Sequence, residues 1–503
     1  MSHTFVGVDI GSSGTKAVLV DESGSLLASA RTDHEISRPR PDWAEMDAER
    51  DWWGTAVEAV RQLLAQPGVE KERIAGVGVC GVGASFVPVA ADGKALRPAI
   101  LYGIDNRAAD IVSALKSEIR EEPLLSLTGR LLSAQSVGPK LCWLREQEPE
   151  VWEKTRSILT PPGLVAQRLG GAAAIDYHAA LSFDPLFDAT RMDWNDEFCS
   201  RLLAGKLRLP KVMQPGACVG RVNEAGSRMS GLPVGTSIAC GTADVVAEAA
   251  GAGLRQVGDL LVMYGSTLFL VQRVDSFAPS PPLWPSYFLA STQPTLLAGT
   301  SNAGSLLAWF EREFAQHPGE MDALLEKASE LRAGADGLLC LPYFSGERAP
   351  IFDPLARGLF LGLSGQHTRV HILRALVEGI SFSFRHVLET FASSGHPPRR
   401  LLASGGGLRH PLWAQTMSDV VGLPQTLTAH VSGAALGAAH LGAQAAGFSR
   451  AGESIPRSWT AGTTTIAPDL ERRTHYDWLY AVYLRAYAAN KELMHMLSGQ
   501  ATP

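Results

Sequence analysis

Along this chain short runs of alternating or wholly apolar β-type residues are broken by small-residue tips, and longer stretches with helical spacing lie between them. The first run is FVGVDIGSSGTKAVLVD at 5–21, where apolar runs at 5–10 and 17–20 flank Gly11-Ser12-Ser13-Gly14-Thr15. That pattern predicts a strand, a tight turn and a second strand. Residues 25–31 supply a third strand, and 48–66 has helical periodicity with Trp52, Val57, Val60 and Leu64 on one side. Strand character returns at 74–89, IAGVGVCGVGASFVPV, and again at 99–107, AILYGIDNR, with a helix from Ala108. A short amphipathic helix is expected at 139–144 and a loop at 176–188.

From Ser237 the residues become small. ACGTADVV reads as a strand ending at a lone acid, Asp244, with a small-residue helix at 245–252. Residues 258–271, GDLLVMYGSTLFLV, repeat the strand, Gly-Ser-Thr turn and strand of the opening. This partial recurrence some 250 residues on predicts two related domains with a ligand between them. A Pro-rich loop follows at 274–285, then a helix in 300–310 whose Ser/Asn/Gly start is a candidate phosphate-facing N-terminus. A buried strand is expected within 337–350, a long helix at 369–392, and at 401–409, LLASGGGLR, a strand running into three glycines. A small-residue helix at 436–446 and a long amphipathic one at 476–497 end the chain.

With 503 residues, 46% hydrophobic and 19% charged, the chain has room for two or more folded domains. A net charge of −6 and the absence of a basic block argue against nucleic acid as the main partner. No apolar run approaches a membrane span and the N-terminus lacks a leader pattern, so the expectation is a cytoplasmic protein without a membrane partner. The six cysteines form no CxxC pair; buried thiols are expected rather than a zinc site or disulfides.

The chemistry gathers at the tips. A glycine turn lets a ligand approach backbone amides, the neighbouring hydroxyls add donors, and Asp9 beside such a cradle suits a bridging divalent cation. An ordinary hairpin turn fits the same residues. Asp244 stands where an acid can serve chemistry or merely cap a helix. Tyr102, Asp105 and Arg107 can hold a polyhydroxylated ligand, or the last two can form a structural ion pair. GVGVCG at 76–81 has GxGxxG spacing, but β-type residues continue past the third glycine, so it is not a dinucleotide fingerprint.

Four segments in this order, DIGSSGTK, CGTADVVAEAAGAG, the GST hairpin and SGGGLRHPLW, resemble the FGGY carbohydrate kinases of the actin/hexokinase/Hsp70 superfamily. GLFLGL at 358–363 followed by HILRALVE at 371–378 is similar to that family's second signature, with Leu376 the one awkward position. Residues 135–144 match the first signature in part: Lys140 and Trp143 are kept, whereas Gln135 and Val137 depart from it.

The resemblance implies a two-domain α/β fold of ribonuclease H-like halves, 1–243 and 244–503, with ATP and a sugar in the cleft. It implies Asp244 as general base, Asp9 holding Mg²⁺, and Gly11, Ser12, Ser13, Thr15, Lys16, Gly265, Ser266 and Thr267 around the phosphates. Gly304, Gly406, Gly407 and His410 would wall the adenosine; Gly83, Ala84, Ser85, Tyr102, Asp105, Arg107 and Gln135 would face the sugar or polyol. The Trp43-Ala-Glu45 and 102–107 segments resemble the xylulokinase-like branch, which makes D-xylulose the first acceptor and another pentulose, a tetritol or a signalling polyol the alternatives. A sensor that binds ATP and sugar without transfer is the non-enzymatic alternative, and a homodimer is the family-based expectation.

Overall fold

A computed structural model describes residues 2–205, 209–276, 283–427 and 433–500. Its frame is two seven-stranded sheets built on one plan. In the first, β1 (Thr4–Ile10), β2 (Gly14–Asp21) and β3 (Leu26–Asp33) form an antiparallel meander. β4 (Ile74–Gly81) pairs parallel with β1, and beyond it come β5 (Cys218–Arg221) and β6 (Ser237–Ala239), in the order β5-β6-β4-β1-β2-β3. Thr242–Ala243 runs beside β4 as a seventh short strand.

The second sheet repeats these directions. β7 (Asp259–Tyr264), β8 (Leu268–Arg273), β9 (Trp284–Tyr287) and β10 (Pro294–Gly299) make its antiparallel side. β11 (Arg400–Ser404) and β12 (Gln425–Leu427) extend it in parallel, and β13 (Thr464–Ile466) closes it, giving the order β9-β10-β8-β7-β11-β12-β13. The glycine-tipped recurrence read in the sequence is thus the first hairpin of each sheet. Of the Pro-rich loop expected at 274–285, residues 277–282 lie outside the described residues, and Trp284 and Pro285 belong to β9 rather than to a loop, because they pair with β10.

Two small-residue helices lie between the sheets: α1 (Asp244–Gly251) packs with Leu261, Val271 and Leu402 of the second sheet, and α2 (Gly433–Ala445) lies on the first. Their closeness comes from absent side chains. A Cβ on Gly7, Gly76 or Gly78 would lie 1.9, 2.1 or 2.0 Å from the α2 carbonyls of Ala435, Gly442 and Ala438. A Cβ on Gly437 would meet the Ala247 carbonyl of α1 at 1.9 Å. The GxGxxG run therefore has a packing explanation: Gly76 and Gly78 seat a helix backbone against the sheet.

Several local expectations change. The predicted helix at 48–66 opens with a wider π-helical turn, Ala48–Gly54, before Thr55–Leu64, and Val57 stays half-exposed while Ala56, Ala59 and Leu63 go inward. Residues 99–107 hold only a two-residue strand, Ala99–Ile100, because Glu45 and Met46 offer a partner no longer than that. The helix Val137–Gln147 is buried throughout its first eight residues rather than amphipathic, and the loop expected at 176–188 contains a helix, Tyr177–Leu181, capped by Asp176. Four cysteines are buried, Cys199 is half-buried, and Cys218 at a sheet edge is exposed. No helix among the described residues is long and apolar enough to cross a membrane.

Candidate functional site

The two hairpin tips, the start of α1 and the glycine turn after β11 meet around the gap between the sheets. At the first tip Gly11 N–H donates to the Gly14 carbonyl at 3.0 Å, while Ser12 and Ser13 are exposed. His34, which sequence reasoning missed, braces this tip from behind: its backbone N–H donates to the Ser13 carbonyl at 3.3 Å, and Nε2 is 2.9 Å from the Gly11 carbonyl. Thr15 is not available in the way expected. It is fully buried and its hydroxyl bonds the Thr55 hydroxyl at 2.7 Å, because the β-strand pleat turns it inward.

The second tip presents Gly265 and Ser266 to solvent. The helix Gly304–Phe314 does not aim free amides at a phosphate: the N–H groups of Ala303, Gly304 and Ser305 donate to the tip carbonyls of Gly265 and Ser266 at 3.0–3.1 Å. What the helix does provide is a wall. Gly265, Ser266, Gly304, Gly406, Gly407 and His410 all line one cavity of about 560 Å³. The ring of Trp413, missed in the sequence, lies under Gly407, where a Cβ would come within 2.3 Å of it. Gly405 sits at φ 104°, so the turn brings bare backbone to the cavity.

Three carboxylates, Asp9 on β1 and Asp244 and Glu248 on α1, lie close enough to act on one another, with Lys16 close enough to act on Asp9 and Glu248. Burial, then the charges of Asp244 and Glu248, push Asp9 up to about 7. Asp244 is pushed up to about 6, chiefly by burial, and Glu248 is raised for the same reason. Cys80 Sγ–H donates to Asp9 at 3.4 Å. Glu248 was overlooked in the sequence; its spacing of one helical turn from Asp244 was the available signal. Oxygen donors with surplus negative charge suit a hard divalent cation. Among the described residues no three His, Cys, Asp or Glu side chains converge to hold a metal alone. That arrangement fits a cation completing its shell with phosphate oxygens and water.

On the other side of Asp244, Gly83 N–H approaches its carboxylate at 3.4 Å, and Val245 N–H donates to it at 2.8 Å. Gly83 sits at φ 46° under the Tyr102 ring, with room for no Cβ. Tyr102 and Gln135 line a second cavity of about 530 Å³, reached from both halves of the chain. Ala84 and Ser85 are fully buried, and the Ser85 hydroxyl accepts the Tyr102 N–H at 2.9 Å, so Ser85 positions Tyr102 rather than facing the cavity.

Asp105 and Arg107 are likewise turned inward. Their side chains are 0% exposed, bonded to each other at 2.7 Å, and the guanidinium is stacked 4.0 Å from the Trp43 ring centre with Glu45 at 2.9 Å. Asp105 also accepts the Ala44 N–H at 2.7 Å. Of the two readings open in the sequence, the structural ion pair is the one the fold adopts. Lys140 is buried too, donating to the Leu101 carbonyl at 3.1 Å, and burial lowers it to about 8.

Comparison with known proteins adds three findings. Models of the FGGY family of carbohydrate kinases match the chain, the N-terminal domain over residues 4–251 and the C-terminal domain over 261–446. A xylulose kinase of Bacillus subtilis is 27% identical over 490 residues, 97% of each chain, and one of Escherichia coli 27% over 440 residues, 87% of this chain and 89% of that one. The crystal structure of a xylulose kinase from Rhodospirillum rubrum superposes with a TM-score of 0.89 at 31% identity, covering 98% of this chain and 100% of the other.

Proposed function

The chain belongs to the FGGY family of carbohydrate kinases, and on that premise we propose that it transfers the γ-phosphate of Mg-ATP to a hydroxyl of a small sugar or polyol, D-xylulose first. The name of the similar enzymes supports that first acceptor; another pentulose, a tetritol or a signalling polyol is the alternative. The observation that carries the transfer is the half-buried Asp244 carboxylate at the start of α1, together with two cavities. One is walled by the glycines at 265, 304, 406 and 407, the other by Tyr102 and Gln135.

In this reading the adenosine lies on Gly406, Gly407 and His410, and the tips at 11–13 and 265–267 flank the phosphates with their amides and hydroxyls. Asp9, with Asp244 and Glu248 nearby, would hold Mg²⁺, which supplies neutralisation of charge on the phosphate oxygens. Asp244 takes the acceptor hydroxyl's proton as that oxygen bonds to the γ-phosphorus and the bond to the bridging oxygen of ADP breaks. With a value of about 6, the carboxylate is ionised at neutral pH and is a stronger base than an exposed aspartate. A cavity lined from both halves of the chain favours closure over the reactants, which excludes water as competing acceptor. The site of action we assign is the cytoplasm.

The test is ADP release with Mg-ATP across ketoses and polyols, in wild type and Asp244→Asn. Turnover with at least one acceptor, reduced about 10²–10⁴-fold in the variant with the ATP KM retained, is expected. Near-normal kcat in Asp244→Asn would remove that residue from the role of base. Tight sugar binding without turnover by wild type would favour the sensor.

A further inference from the structure

The two hairpin tips are clamped in the same way by different means. At the second, the Gly265 carbonyl accepts the Gly304 N–H, and the Ser266 carbonyl accepts those of Ala303 and Ser305, at 3.0–3.1 Å. At the first, one residue takes both carbonyls: His34 donates from Nε2 to Gly11 at 2.9 Å and from its backbone N–H to Ser13 at 3.3 Å. The peptide bonds of both tips are trans. In a planar trans peptide the carbonyl and the following N–H point in opposite directions. Holding the Gly11 and Ser13 carbonyls therefore turns the N–H groups of Ser12 and Gly14 away from His34, as the second clamp turns those of Ser266 and Thr267. Neighbouring backbone N–H groups fixed in this way suit an anion.

The second clamp is built from main-chain atoms and depends on no side chain. The first depends on an imidazole. His34 follows the last residue of β3, and the register, with Gly14 opposite Asp33, brings it alongside the tip. A carbonyl only accepts, so Nε2 carries the hydrogen. The other ring nitrogen, Nδ1, is buried without a hydrogen-bond partner, so the ring's polar contact is with the tip. His34 is not placed to meet a phosphate itself. It is 8% exposed, and the cavity it lines carries Asp33, Glu35, Asp51 and Glu58, whose charges repel an anion.

Resting on the kinase reading above, we propose that His34 is a positioning residue for the nucleotide. By holding the tip carbonyls it aims the Ser12 and Gly14 amides at the phosphates of ATP, and so sets ATP affinity without touching ATP or the acceptor.

The test compares His34→Leu, His34→Gln and His34→Asn with wild type. Kinetics are read by ADP release with any acceptor that is turned over, and binding by calorimetric titration of AMP-PNP and of AMP with Mg²⁺ and no acceptor. Glutamine offers an N–H as far from the backbone as Nε2, whereas that of asparagine is one bond shorter. In the leucine and asparagine variants the KM for Mg-ATP should rise about 10-fold, the worth of one hydrogen bond to a charged group, with the acceptor KM held within about threefold. The glutamine variant should stay within about threefold of wild type in both. AMP-PNP binding should weaken about 10-fold in His34→Leu while AMP, with one phosphate, is nearly unchanged; a loosened protein loses both alike.

An ATP KM unchanged in the leucine and asparagine variants, a glutamine variant no better than the asparagine one, or equal loss of AMP and AMP-PNP overturns the inference. Each leaves the kinase reading standing if wild type turns over an acceptor. If His34→Leu does not fold, the glutamine and asparagine variants decide by the same comparison. If wild type releases no ADP with any acceptor, the kinase reading fails and the titrations decide His34: selective loss of AMP-PNP supports the clamp, and unchanged AMP-PNP binding overturns it.

Discussion

Gly7→Ala tests the claim that missing side chains let α2 lie on the first sheet and so set the site. The new methyl would stand 1.9 Å from the Ala435 carbonyl oxygen and 2.5 Å from the Ala439 nitrogen, all backbone atoms that cannot swing aside. Ordinary contact begins near 3.4 Å, so strand and helix must part by about 1.5 Å. A gap of even 0.5–1 Å forfeits about a quarter to a half of each dispersion contact it opens, and overpacking costs about 1–3 kcal/mol. We expect about 3 kcal/mol here, read from urea unfolding. Asp9 lies two residues along β1 from Gly7, and Asp244 begins the helix that packs on α2. Parting them should also lower kcat at least 10-fold. The control is Gly365→Ala, where an added Cβ meets nothing within 4 Å; it should change stability by no more than about 0.5 kcal/mol. If the two variants unfold within 0.5 kcal/mol of each other, by that same scale, close helix-on-sheet packing does not determine this geometry.

Two further outcomes concern groups outside the reacting centre. Asp105→Asn leaves the buried Arg107 short of one carboxylate, so it should cost about 3 kcal/mol in unfolding while the acceptor KM stays within threefold. A KM rise above 10-fold at unchanged stability would make the pair a ligand contact. His178, buried and bonded through Nδ1 to the Ser286 hydroxyl at 2.6 Å, is held down to about 3 by burial and then by Arg130. The unfolded chain takes up that proton near pH 6.5 and the folded one only near 3. His178 therefore makes stability fall as pH drops through this window, by about 1.4 kcal/mol per unit, and has no effect above it. In His178→Asn the slope of unfolding free energy against pH between 6.5 and 4.5 should differ from wild type by about one proton; identical slopes would mean the imidazole charges in the native state.

What the amino-acid order determined alone is what depends on short-range chemistry. Period-two runs and glycine tips mark both hairpins, and an acid at the strand-to-helix junction marks Asp244, because backbone geometry and turn sterics act over a few residues. The glycines at 304, 406 and 407 could be assigned to one wall from their resemblance to a family, and the fold does bring them to one cavity.

Tertiary structure decided which side chains remain available. Thr15, Ser85, Asp105 and Arg107 carry the right atoms, yet Thr55, Tyr102, Glu45 and each other take up their hydrogen bonds, over separations of up to 62 residues. The amides expected to face a phosphate at 303–305 bind the second tip instead. Gly76 and Gly78 owe their place to a helix more than 350 residues away, and Arg130 and Arg348 line one cavity only because two distant parts of the chain face one another. Burial and pairing depend on every element packed nearby, and no local pattern encodes those neighbours.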